Sequence, residues 1–387
     1  MPSSSLERIA KDLEPLMSFV QGSRYAARWG DPDIADFVFG NPHDMPLPGI
    51  ARALTAHTEP HDKNWFAYKQ NEPETRDVVA RSLTDSHNLP FEPEDIFLTP
   101  GAFGGLSTLI RALAGPGDEV MYLSPPWFFY DAMIKVVGAQ PVRIPLEDPH
   151  FAPDPALIAD AITERTRAII INTPHNPTGR IYSTDELGAV ASVLQAAPSP
   201  ICLISDEAYR RIVFRGERFV SPALAYERTA VVYTYGKTLL APGERIGYIA
   251  LHPRMPDREQ LRGSISLSQM IGGWQFPNST LQRAIGDLDE LCIDLEGLER
   301  RRDRLATVLR EIGYEVIVPA GTFYMMVRSP IEDDAAFCGA LADQEVFVGP
   351  GYLFEMPGWF RLSLTANDEM VERSLPGFEK AFVSFKG

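Results

Sequence analysis

Cysteine is scarce in this sequence: Cys202, Cys292 and Cys338 are the only three among 387 residues. They are far apart and odd in number, and no CxxC pair occurs. Neither a disulfide framework nor a thiolate zinc site is indicated, and a reducing cytoplasm is the expected compartment. Long apolar runs are missing as well. No stretch of about 18 apolar residues occurs, so no transmembrane helix is expected. The opening MPSSSLERIAKDLEPL carries acids and lacks the apolar core of a signal peptide. Positive charge is in deficit, with 36 Lys and Arg against 52 Asp and Glu, a net charge of -16. That balance argues against nucleic acid or an anionic membrane as partner, while leaving room for a local basic pocket for a small anion. Internal repeats are absent, and the 33 prolines are dispersed rather than gathered into a linker.

What is present is the composition of an ordinary globular protein, 45% hydrophobic, and long enough that two domains are the natural expectation. The middle of the chain alternates strand-like and helix-like segments. DIFLT (95–99), EVMYL (119–123), AQPVRIPL (139–146), RAIIINT (167–173), ICLIS (201–205), AVVYT (230–234) and RIGYIAL (245–251) read as strands, several of them buried on both faces. Helical stretches lie between them, among them STDELGAVASVLQAA, where Ser183 and Glu186 form a capping-box pattern. The β-α-β order predicts an α/β fold with a mostly parallel sheet covered by helices. After about residue 260 the texture changes. DLDELCIDLEGLERRRDRLATVLREI is a charged amphipathic helix or helix pair; EVIV, GTFYMMV and FRLSLT read as strands, and DDAAFCGALAD as a helix. This predicts a large domain over 45–265 and a smaller α+β domain built from 266–387 with the N-terminal arm, 1–44.

Ligands of open parallel sheets bind at the carboxyl ends of strands, and several predicted strand ends carry unusual residues. PGAFGG follows DIFLT and opens a helix, an arrangement in which small residues bring backbone N–H groups close to an anion. PHNPTG, holding Asn176 in a stiff turn, follows IIINT. DEAY, with Asp206 and Tyr209, follows ICLIS. YGK follows AVVYT, and Arg245 comes eight residues after Lys237. Gly-Lys-Thr at 236–238 also ends a P-loop pattern, but the required glycine is replaced by Val231 inside an apolar run, which excludes that reading. Each segment alone has a plain alternative: a turn for PGAFGG and NPTG, a helix cap for Asp206, solvated charges for Lys237 and Arg245. His57 and His61 have metal-ligand spacing, but Pro60 between them disfavours a helix interior and therefore a metal site. The sequon at Asn278 carries no meaning in a cytosolic protein.

Taken in order, PHNPTG, SDEAY, the Lys237 segment with Arg245, and FRLSLT resemble the fold-type I, pyridoxal-phosphate-dependent aminotransferases of classes I and II. The resemblance runs from FGNP (39–42) to FRLSLT (360–365). It implies a mostly parallel, seven-stranded sheet in the large domain, pyridoxal 5′-phosphate as cofactor, and a homodimer acting on α-amino and 2-oxo acids. It also implies roles. Lys237 is the Schiff-base lysine and proton carrier. Asp206 faces the pyridine nitrogen, and Asn176 and Tyr209 bond the phenolic oxygen. Trp127 stacks on the ring. Ala102, Phe103, Thr234 and Arg245 hold the phosphate. Arg361 clamps the substrate carboxylate, assisted by Asn176, and Gly40 admits the substrate closely.

The family often reaches the cofactor phosphate of the neighbouring subunit with a tyrosine. In NWFAYKQNEPETR, Phe66 and Tyr68 compete for that place, and Tyr68 is preferred because it can donate a hydrogen bond. No second substrate arginine is found, which points to a neutral side chain, aromatic or aliphatic. Trp29, Phe37 and Phe39 are candidates to line such a pocket or simply to pack in the core. Two other outcomes on the same scaffold stay open: a β-eliminating C–S lyase or a specialised biosynthetic enzyme, and a non-catalytic cofactor-sensing regulator, for which an attached basic DNA-binding segment is wanting.

Overall fold

The fold is that of a computed structural model describing residues 4–147 and 150–385. Its strands are β1 (Ala35–Phe37), β2 (Ile96–Thr99), β3 (Glu119–Ser124), β4 (Gln140–Pro145), β5 (Thr166–Asn172), β6 (Cys202–Asp206), β7 (Thr229–Thr234), β8 (Gly247–Leu251), β9 (Val316–Ile317), β10 (Tyr324–Arg328), β11 (Val346–Pro350) and β12 (Trp359–Ser363). Seven of them form one sheet in the order β2-β8-β7-β6-β5-β3-β4. All its pairings are parallel except the two made by β8, which runs antiparallel to β2 and β7. The rest form a five-stranded sheet in the order β1-β11-β12-β10-β9.

The β-branched runs make the large sheet because both of its faces are covered. Val232, Ile170 and Ile204 pack with Leu106, Leu109 and Ile110 of the helix Gly101–Leu113. Their neighbours point the other way. Val231 meets Leu281, Ala284, Ile285 and Leu288 of the helix Ser279–Asp289, and Ile169, Ile171 and Leu203 meet Leu187, Val190 and Leu194 of the helix Thr184–Gln195. Each such side chain, fully buried, contributes about 1.5–3 kcal/mol. The capping box forms as the pattern predicts: Ser183 Oγ accepts the Glu186 N–H at 3.2 Å, and Glu186 Oε2 accepts the Ser183 N–H at 2.8 Å. The buried position of Val231 inside β7 leaves no loop to wrap a nucleotide phosphate there.

The charged segment 287–312 holds the end of one helix, Ser279–Asp289, and the whole of the next, Leu295–Ile312. Ser279–Asp289 is capped by Asn278, whose side-chain oxygen accepts the Leu281 N–H, and Leu295–Ile312 is capped by Asp294. The sequon asparagine is thus a helix cap. Because Ser279–Asp289 packs against the large sheet's side, packing passes to the five-stranded sheet only around Ile293 and Leu298, later than the change in composition near 260. The N-terminal arm, which shows no strand pattern in sequence, contributes three short helices and β1, which pairs in parallel with β11. Asp36 interrupts the apolar pattern of β1, yet it is buried there because it accepts the Tyr25 hydroxyl at 3.0 Å and the Val38 N–H at 3.0 Å. Among the described residues no helix is long and apolar enough to cross a membrane.

Candidate active site

A cavity of about 240 Å³ opens between the carboxyl ends of β5, β6 and β7 on one side and β10, β12 and the segment 39–41 on the other. It gathers twelve of the residues singled out from sequence: Phe39, Gly40, Ala102, Phe103, Trp127, Asn176, Asp206, Tyr209, Thr234, Lys237, Arg245 and Arg361. Tyr68 lies outside it, 87% exposed, with its ring 4.8 Å from that of Phe276. Phe39 lines the cavity, whereas Phe37 is fully buried in the core of the small sheet and Trp29 stacks on Tyr25 at the surface.

Lys237 belongs to a single helical turn, Tyr235–Thr238, that begins as β7 ends. Thr234 caps it by accepting the Gly236 N–H at 3.3 Å. The lysine amine has no carboxylate in ion-pair range among the described residues. It lies 5.8 Å from the ring centre of Tyr209 and 5.6 Å from that of Phe323. An unpaired amine walled by rings is available for chemistry rather than committed to a salt bridge.

Asp206 ends β6 and is almost fully buried. Burial raises its carboxyl to about 6, even though the Tyr130 hydroxyl donates to it at 2.6 Å and the Ala208 N–H at 3.3 Å. A carboxyl in this state is stabilised by any cationic N–H brought beside it. Asn172, the register partner of Asp206 on β5, fixes the strand ends. Its Nδ2 donates to the Asp206 carbonyl at 2.9 Å, and its Oδ1 accepts the Asn176 N–H at 2.7 Å.

At the far end, Thr234, Arg245 and the first turn of the helix Gly101–Leu113 converge. Gly101 has φ +74°, and a Cβ there would come within 2.7 Å of Arg245 Nη2 and 3.2 Å of Thr234 Oγ1. Among the described residues Arg245 bonds only to carbonyls, of Pro242 at 2.8 Å and of Pro100 at 3.3 Å, and burial lowers its pKa. Helix N–H groups without a side-chain cap, a hydroxyl, and a guanidinium with no carboxylate partner among the described residues make a cradle for a dianion. Trp127 borders this end, held edge-on by Phe103 at 5.0 Å and Tyr130 at 5.6 Å.

Arg361, on β12, is 1% exposed. Its Nη1 donates to Asn176 Oδ1 and its Nη2 to the Val38 carbonyl, each at 3.0 Å, while its Nε has no partner among the described residues. The guanidinium lies 3.7 Å from the ring centre of Tyr324 and 3.9 Å from that of Phe354. Gly40 is bare because a Cβ would come within 2.4 Å of Phe323 and 2.9 Å of the Tyr324 hydroxyl.

The two histidines with metal spacing are used otherwise. His57 Nε2 lies 3.1 Å from Asp287 Oδ2, and the His61 ring packs on Trp65. Among the described residues no group of three or more His, Cys, Asp or Glu side chains is arranged to hold a metal.

The sequence matches the family model for aminotransferase class I and II over residues 32–376. The chain belongs to that family. It is 31% identical over 358 residues to a protein of Thermus aquaticus named a probable aspartate/prephenate aminotransferase, covering 90% of this chain and 91% of the relative. Its fold is similar to that of an amino transferase from Eubacterium rectale, with a TM-score of 0.88, 29% identity and coverage of 100% and 97% of the two chains. It is also similar to N-succinyldiaminopimelate aminotransferase of Mycobacterium tuberculosis, with a TM-score of 0.85, 26% identity and coverage of 98% and 100%. The protein is therefore an enzyme that transfers amino groups with pyridoxal 5′-phosphate. The cavity suits that cofactor: the cradle at Gly101 matches a phosphate, and the buried Asp206 carboxyl matches a ring N–H.

Tyr324, Phe128 and Asn172, which line the cavity, and Tyr130, which donates to Asp206 behind it, escaped the sequence reading. Tyr130 follows Trp127 by three positions in a stretch that reads as apolar. Tyr324 lies in a strand that reads as core, and Phe128 in an aromatic run. Asn172 carried a usable signal, a polar residue closing a β-branched strand.

Proposed function

We propose that this aminotransferase moves the amino group of an α-amino acid to a 2-oxo acid, with Lys237 carrying the cofactor through its amine and moving the substrate's α-proton. The observation that carries the reading is Arg361. A guanidinium this deeply buried, with an orphaned Nε and no carboxylate partner among the described residues, suits a carboxylate that arrives with the substrate. The cofactor, when bound, supplies an electron sink for the α-carbon. Around it, Asp206 keeps a ring N–H protonated, Tyr209 and the Asn176 amide donate towards the phenolic oxygen, and Trp127 fixes the ring plane. Ala102, Phe103, Thr234 and Arg245 hold the phosphate.

The relatives are named for aspartate and prephenate. In this chain the cavity cations are Lys237, Arg245 and Arg361, each occupied by a role above, and the remaining wall includes Phe39, Phe103 and Phe128. This supports a donor with a neutral, apolar side chain. We also propose a homodimer in which Tyr68 reaches the partner's phosphate site. The exposed Leu267, Met270 and Ile271 of the helix Arg258–Ile271 and the exposed Phe276, whose ring meets that of Tyr68, support it, and sedimentation checks it.

The test is the change in visible absorbance of the cofactor-loaded enzyme on adding single amino acids. Conversion by α-amino acids, lost in Lys237→Ala and demanding at least tenfold more substrate in Arg361→Ala, is the expected result. An unchanged KM in Arg361→Ala would put the carboxylate clamp elsewhere.

A further inference from the structure

We infer that Tyr324 and Phe354 are positioning residues that hold the Arg361 guanidinium flat between two rings and so aim its free donors at the substrate carboxylate. The inference rests on the reading of Arg361 given above. A guanidinium presents its N–H groups in one plane. Rings on both faces, at 3.7 and 3.9 Å, oppose tilting out of that plane. Bonds to Asn176 and to the Val38 carbonyl oppose rotation within it. Of its five N–H groups these bonds use two, which leaves one on each Nη and the one on Nε without a partner among the described residues. A carboxylate partner would orient an arginine equally well but would neutralise it and compete with the substrate; ring faces stabilise the cation and leave its donors unused.

Both rings are themselves fixed. Phe354 closes a 3-10 turn, Gly351–Phe354, and lies so near β11 that a Cβ on Gly349 would sit 3.1 Å from its Cε2. Tyr324 is held at its other end, where its ring meets those of Tyr209 and Phe323 edge-on at 6.0 and 4.9 Å and its hydroxyl lies against Gly40. Burial opposes ionisation of this phenol, but Lys237, Arg361, the Tyr209 hydroxyl and the Gly40 N–H outweigh it and hold its pKa below the ordinary value. Buried tyrosines elsewhere, such as Tyr130, Tyr182 and Tyr248, are pushed up instead. Tyr324 therefore touches the surroundings of both the arginine and the lysine, and its ring and hydroxyl do separable work.

The experiment uses the cofactor-loaded enzyme and follows visible absorbance with the best donor from a single-amino-acid screen and with its decarboxylated amine. Saturation constant and limiting rate are taken separately. Tyr324→Leu and Phe354→Leu are each expected to raise the saturation constant for the amino acid by about tenfold or more while changing that of the amine little. Tyr324→Phe, which keeps the ring, should hold the amino acid constant within about threefold and lower the limiting rate. Cofactor stoichiometry, read from the same spectra, checks that the pocket is intact. Phe354→Met gives the same comparison should leucine disrupt folding. The inference is overturned if the leucine variants keep the parent's preference for amino acid over amine, or if Tyr324→Phe loses as much as Tyr324→Leu. If Arg361→Ala destroys that preference and the leucine variants do not, only the aromatic clamp fails. If Arg361→Ala also leaves it intact, the carboxylate reading of Arg361 fails with it.

Discussion

Gly101→Ala isolates the anion cradle in one methyl group. Two effects follow from the geometry. The residue sits at φ +74°, where a side chain costs about 1–2 kcal/mol, so the cofactor-free protein loses about that much stability. The new Cβ also lies 2.7 Å from Arg245 Nη2, so the guanidinium must withdraw from the first turn of the helix. Losing one charge-assisted bond to a phosphate is worth about 1.5–3 kcal/mol, which is about a 10- to 150-fold weaker cofactor. Pyridoxal without the phosphate should be spared, because the methyl group touches only the phosphate end. The assay is titration of cofactor-free enzyme with pyridoxal phosphate and with pyridoxal, followed by absorbance, alongside urea denaturation of the free protein. A variant that binds the phosphate form within twofold of the parent, or that weakens both forms equally, would refute the cradle.

Asp206 gives a pH signature. Its carboxyl is raised to about 6 in the fold against an ordinary 3.8, chiefly by burial. The folded state then binds the proton more tightly than the unfolded one, so stability from this group is greatest below pH 4 and is lost as pH rises through 6. Cofactor-free Asp206→Asn should be more stable than the parent at pH 7, by roughly 2–3 kcal/mol at most, with the gap closing towards pH 4 in urea melts; a gap independent of pH contradicts this. Glu207, beside it and fully buried, accepts His87 and Ser205 at 3.0 Å and the Ser221 hydroxyl at 2.5 Å, with Arg210 at 3.8 Å. Glu207→Ala strands buried donors and a cation, and a loss of about 3–5 kcal/mol is expected in urea denaturation; a loss under 1 kcal/mol would mean water replaces the carboxylate.

Much of the site was legible in sequence because its groups close the strands that carry them. Asp206 and Thr234 are the last residues of β6 and β7, and Lys237 and Asn176 follow within four residues of a strand end. Period and punctuation locate such places locally. Tyr324 and Phe354 were not legible because their role depends on register and on contacts far along the chain. Tyr324 pairs with Ser363, two residues beyond Arg361, in an antiparallel ladder between strands some thirty residues apart. β1 was hidden by Asp36, whose burial depends on a hydroxyl eleven residues away. The division near 260 followed charge, whereas packing followed the apolar stripe of Ser279–Asp289, which a charged exterior masks.

The local sign of charge inverts the global one, and that inversion has a measurable consequence. The chain carries a net charge of -16, yet the cavity holds three cations, Lys237, Arg245 and Arg361, against one carboxylate, Asp206. Neither arginine is paired with an acid among the described residues, although acids are in excess over the chain as a whole, so both cavity ends favour anions even before cofactor or substrate is present. The cradle at Arg245 should therefore take inorganic sulfate in the cofactor-free protein. A ligand that binds only the folded state stabilises it by RT ln(1 + [L]/Kd), about 1.4 kcal/mol at ten times Kd. Thermal melts at constant ionic strength, with sulfate replacing chloride, should show a rise for the cofactor-free enzyme and a much smaller one for the loaded enzyme, whose cradle is filled. Gly101→Ala should lose the rise. Equal stabilisation of loaded and free protein would mean that sulfate acts by general exclusion from the surface, and the cavity's positive field would then have no part in holding the phosphate.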